Sequence, residues 1–221
     1  MGCRVHLVLA VAFGPVLFVG GTAGAQGSFE GAVTYQLPST TGAPVKLVYQ
    51  KKGTKIRMDV SGGSMSDAQS AVIFDRTTRL VTAMVTEAHM YVVEPLDSVQ
   101  KGQGGAPAIK SLGTHETIAG TPCENYLVST EDHQETVCAA HGMGDYFLPQ
   151  QGAKLGFGSV TLPNGFFPLK VSSVESGKPT VVMIATAVER RVVDPSIFVV
   201  PADYKQIDAK ALTGATPAAP Q

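Results

Sequence analysis

Tryptophan is absent from the 221 residues, cysteine occurs three times, and only 16 % of the chain is charged. Seventeen Lys and Arg stand against eighteen Asp and Glu, so there is no basic excess to neutralise phosphates, which excludes nucleic-acid binding as the main activity. Low charge beside 44 % apolar residues excludes global disorder. Only one apolar run is long, Val5 to Val19, and it is interrupted by Gly14-Pro15 and followed by Gly20-Gly21. A spanning helix needs about 20 consecutive apolar residues. No transmembrane segment is therefore expected in the mature chain.

What is present at the start is Arg4, that apolar run, and Ala23-Gly24-Ala25 before Gln26. A positive residue, an apolar stretch and a small-x-small end are the layout of a secretory signal peptide. We expect residues 1–25 to be removed and the mature protein to be periplasmic or secreted. Cys3 leaves with that segment, so the cysteines are reduced to Cys123 and Cys138. An even count in an exported chain favours a disulfide. Both lie in strand-like runs about the polar stretch Glu131-Asp132-His133-Gln134, and a chain reversal there sets them opposite or diagonal.

From Phe29 onward the dominant period is two. Phe29, Gly31, Val33, Tyr35 and Leu37 alternate with polar or small residues, as do Val45, Leu47 and Tyr49, and Ile56, Met58 and Val60. Such alternation marks half-buried antiparallel strands. Further strands are predicted at Ala71–Phe74, Leu80–Val85, Ala88–Glu94, the two cysteine-bearing runs, Phe166–Val174, Thr180–Val192 and Phe198–Tyr204. Val181 to Ala185 is apolar on consecutive positions, which predicts cover on both faces. Lys51-Lys52-Gly53-Thr54 reads as a hairpin turn, Ser61 to Asp67 as a loop, Ser98 to Pro107 as a connection, and Asp145 to Gln151 as a short helical turn. The expected organisation is one domain, 26–208, followed by a disordered Ala-, Pro- and Thr-rich tail, 209–221. The expected fold class is mainly β: a curled antiparallel sheet forming a half-barrel with few short helices.

Several stretches carry a resemblance: Phe29-Glu30-Gly31, Ile56-Arg57-Met58-Asp59, Ile118-Ala119-Gly120 with Cys123 and Tyr126, Gly165-Phe166-Phe167-Pro168-Leu169, and Phe198-Val199-Val200-Pro201-Ala202-Asp203-Tyr204. Together they resemble the bacterial exported family called domain of unknown function 4412, which looks related to the LolA/LolB and LppX-like periplasmic lipoprotein carriers. The resemblance implies a LolA-like half-barrel with an apolar concavity.

Cys138 and His141 have ligand-like spacing, and Cys123 with His133 would complete a Cys₂His₂ set. Exported cysteines on strands favour the disulfide instead. Gly62-Gly63-Ser64-Met65-Ser66 fails the nucleophile-elbow pattern at its last position, and the glycine-rich runs lack the spacing that cradles phosphate. No catalytic residue, metal or cofactor is assigned, and the expected activity is non-enzymatic. The candidate apolar ligand face is Tyr35, Tyr49, Met58, Phe74, Met84, Phe166 and Phe167, with Phe157 at its rim. Such a face suits a lipid or other apolar ligand in a carrier, or the filled core of a structural or interaction domain of the cell envelope.

Overall fold

The structure, a computed structural model, describes residues 29–38, 42–63, 70–100, 107–129, 134–146, 165–175 and 178–208. The expected leader at 1–25, the expected tail at 209–221, Phe157 and His133 lie outside the described residues, as does most of the helical turn expected after Asp145.

Twelve strands build one sheet: β1 Gly31–Leu37, β2 Val45–Lys52, β3 Lys55–Gly62, β4 Ser70–Asp75, β5 Leu80–Val85, β6 Met90–Pro95, β7 Ala108–Ile118, β8 Thr121–Ser129, β9 Gln134–Ala140, β10 Phe167–Glu175, β11 Lys178–Arg190 and β12 Lys205–Gln206. A five-residue helix, α1 Leu96–Gln100, follows β6. The order across the sheet is β12-β6-β5-β4-β3-β2-β1-β11-β10-β9-β8-β7. Neighbouring strands run antiparallel, except that β12 lies parallel to β6. The sheet is curled and unclosed, a mainly β, half-barrel-like architecture. No described helix is long and apolar enough to cross a membrane.

Turn chemistry sets the hairpins. Ile118 pairs with Thr121. Between them Ala119 and Gly120 both take positive φ, 47° and 75°, as a two-residue type I′ turn requires. Sheet curl follows from extra residues. Register shifts place Thr186 and Val182 as bulges on β11 and Leu169 on β10, and bulges bend a strand and raise its local twist. The Val182 bulge also explains the consecutive apolar run, because it breaks the alternation there. The expected double cover does not form: Met183 and Ala185 are buried, while Val181, Val182 and Ile184 remain partly exposed.

A second expectation is corrected at Phe198–Tyr204. Pro195–Phe198 forms a short 3₁₀ turn capped by Asp194, whose side chain accepts from the Ser196 N–H at 2.9 Å. Pro195 and Pro201 each remove a ladder donor, so this stretch does not add a long strand. It crosses the outer face instead, where Val193 and Phe198 pack on Ala71, Ile73 and Met84. The larger core, including Phe29, Tyr35, Leu47, Tyr49, Ile56, Phe74, Val137, Phe167 and Leu169, fills the concave side.

Candidate functional site

Strand alternation delivers five of the seven expected face residues to the concave side. Tyr49 stands beside Met58 in the β2–β3 register and Phe74 beside Ile56 in the β3–β4 register. Tyr35, Tyr49, Phe74 and Phe167 are each 0 % exposed and Met58 is 5 %. They touch one another rather than an open space. Phe167 meets Tyr49 edge-to-face at 5.5 Å and lies tilted against Phe29 at 5.8 Å. Tyr146, from the segment after β9, lies on top: it stacks on Tyr49 at 5.0 Å and meets Phe167 and Tyr35 edge-on at 5.2 and 6.4 Å. The Tyr35 hydroxyl donates to the Pro168 carbonyl at 2.8 Å. Burial pushes the hydroxyls of Tyr35 and Tyr146 well above the usual phenol range, so both stay neutral.

Two of the seven sit elsewhere. Phe74 pairs with Val81, which turns Val81 and Ala83 inward and Leu80, Thr82 and Met84 outward. Met84 therefore belongs to the outer cluster with Ile73 and Phe198 and cannot share a ligand with Tyr35. Phe166 is partly buried at the rim, edge-on to Tyr126 at 4.8 Å and to His141 at 5.2 Å.

That rim carries a linked set of polar groups. Tyr126 donates to the Glu124 carboxylate at 2.7 Å and lies 3.1 Å from His141 Nε2. The Ser111 hydroxyl donates to the other Glu124 oxygen. These bonds, from Ser111 first and Tyr126 second, hold the Glu124 carboxyl below its usual range. Partial burial, then the bond to Glu124, pushes the Tyr126 hydroxyl up to about 12. The Tyr126–Glu124 bond lies along β8, and the Ser111–Glu124 bond links β7 to β8.

Sequence reasoning missed a buried cation. Lys51 is 4 % exposed, and its ammonium reaches the carbonyls of Met143 and Asp145 at 3.4 and 3.3 Å. Desolvation lowers its pKa. Asp145 in turn accepts from the Gly165 N–H at 3.0 Å and faces Arg76 at 3.5 Å. Lys51 thus ties the 143–146 segment, and Tyr146 with it, across the concave mouth. The signal was available only as a Lys at an inward position of an alternating strand. Cys123 and Cys138 are joined as a disulfide with Cα atoms 5.4 Å apart. Asn125 is the residue directly opposite Cys138, so the two cysteines are diagonal neighbours. Their thiolates are thereby withdrawn from the Cys₂His₂ set weighed above. Among the described residues no group of three or more His, Cys, Asp or Glu is placed to hold a metal.

The chain belongs to the family described as Domain of unknown function (DUF4412), which it matches over residues 29–204. No curated protein matches it. Among solved structures it is similar to PNGF-II in a P21 crystal form, at 12 % identity and a TM-score of 0.47, covering 84 % of this chain and 32 % of that one. PNGF-II in a C2 form gives 15 % identity and a TM-score of 0.46, covering 82 % and 31 %. The chain spans about a third of the length of the PNGF-II chains it matches.

Proposed function

We propose that this member of the DUF4412 family is an exported, non-enzymatic interaction domain of the cell envelope, with a concave side that is a packed core and not a lipid chamber. One observation carries this reading. The residues that would line an acyl pocket, Tyr35, Tyr49, Phe74 and Phe167, are sealed, and the Tyr146 ring occupies the place an acyl chain would need. A carrier gains about 0.8 kcal/mol for each methylene it buries. Here that gain would first have to offset displacement of a stacked aromatic ring and of the Lys51 contacts that hold its segment. The bonded state of the rim groups favours a non-catalytic role, since Tyr126 and Glu124 satisfy each other.

The test uses the mature protein purified from its native envelope. Organic extracts examined by mass spectrometry should contain no stoichiometric lipid, and a fluorescent fatty-acid probe should show no saturable binding. The Tyr146→Ala variant, which empties the ring's place, should bind that probe better than the parent. Stoichiometric lipid or saturable probe binding in the parent would overturn the packed-core reading and restore the carrier.

A further inference from the structure

On the opposite, outer face, a half-open groove of about 180 Å³ lies between β2–β5 and the Pro201–Tyr204 turn. Lys46, Val48, Arg57, Asp59, Met84 and Tyr204 contribute to its lining. The charges in it are unequally committed. Asp59 is saturated: it accepts Arg57 Nε at 2.9 Å and Nη2 at 2.7 Å, and Gln50 Nε2 at 3.2 Å. Arg57 also donates from Nη1 to the Ile197 carbonyl at 2.7 Å. A guanidinium carries five N–H donors, and these contacts use three of them. Lys46 forms no ion pair among the described residues. Two cations against one spent carboxylate leave the groove net positive, with cationic N–H donors to spare.

We propose that this groove is a carboxylate-binding site. The carboxylate docks on Lys46 and the unspent N–H groups of Arg57, and a short apolar stem lies on Val48 and Met84 with Tyr204 as the side wall. The groove's size limits the stem to a few carbons. The same chemistry is offered by a free short aliphatic acid and by a glutamate side chain of an extended peptide. A cation is disfavoured because the single carboxylate, Asp59, is already paired with Arg57 and Lys46 adds a further positive charge. A phosphate ester is disfavoured because one ammonium and a half-committed guanidinium fall short of the Arg cluster or helix N-terminus that dianions use.

Protein labelled with ¹³C at the methionine methyls reports on the groove directly, because Met84 lines it while Met58 and Met183 lie in the concave core. Sodium hexanoate should shift the Met84 methyl saturably and leave Met58 and Met183 unmoved. The neutral isostere hexan-1-ol should shift it at least about tenfold more weakly, the factor expected for losing one charge-assisted bond. Lys46→Gln should weaken hexanoate by a similar factor, whereas Lys110→Gln, on the distant edge strand β7, should not. In a second arm a short peptide with a single glutamate replaces hexanoate, and the tighter of the two identifies the natural source. Absence of a saturable Met84 shift with both probes, equal binding of hexan-1-ol, or an unchanged Lys46→Gln affinity would each overturn the site. Failure here would leave the packed-core reading intact, because the two rest on opposite faces of the sheet.

Discussion

At Gly31 a Cβ atom would stand 2.0 Å from the Glu189 carbonyl oxygen on β11, at a backbone φ of +152° that side chains rarely adopt. β1 and β11 meet here through the Gly31–Arg190 pair, and the glycine allows the strands to approach. Phe29-Glu30-Gly31 is thus a structural motif: Phe29 enters the core, the Glu30 carboxylate accepts the Val193 N–H at 2.9 Å, and Gly31 admits the neighbouring backbone. Gly31→Ala should destabilise by about 2–3 kcal/mol through strain and forced separation. Urea unfolding followed by circular dichroism checks this, and a midpoint equal to the parent's would refute the steric account. Lys51 illustrates the opposite economy, a cation drawn inside to fasten a loop, with desolvation opposing its charge.

The β8–β9 hairpin is held by Cys123 and Cys138 across 15 residues of sequence. Closing a loop of this size restricts the unfolded chain, worth about 3 kcal/mol in the chain-entropy model. The paired Cys123→Ser and Cys138→Ser variant should therefore lose about 2–4 kcal/mol of stability, read from the urea midpoint of each protein. Thiol titration of the unreduced, unfolded parent should find neither cysteine free. Both sulfurs lie in the buried core, Cys138 at 0 % exposure and Cys123 at 3 %, so reduction should be slow until the protein is unfolded. At the sheet's edges, β7 carries a register break between Ser111 and His115, and β12 covers part of β6. Both devices discourage edge-to-edge pairing with other chains.

Across the whole molecule, several carboxyls sit below their ordinary values. Glu116 is held down chiefly by its bond to the Lys170 ammonium, Glu30 by the Val193 N–H and then Lys52, and Glu124 by Ser111 and Tyr126. A carboxyl whose folded pKa is depressed stabilises the protein above its unfolded value, and that contribution is lost as pH falls through the folded value. Stability should be level from pH 7 to about 5 and decline below the ordinary glutamate value of 4.5. Urea midpoints measured between pH 3 and 7 check the window, and a midpoint constant down to pH 3 would contradict it. The strand pattern and one-faced burial of this sheet were legible in the sequence because side-chain direction along a strand alternates with period two, a property of the local backbone. Alternation within one strand carries no information on which face of a neighbour it joins. The Phe74–Val81 register, set by the β4–β5 pairing, therefore decided that Met84 faces away from Tyr49. The outward course of 195–204 and the seating of Tyr146 over the aromatic floor were likewise decided at long range, by packing between residues far apart in the chain. Local chemistry determined that there would be an apolar face, and only the folded arrangement determined that the protein's own rings would fill it.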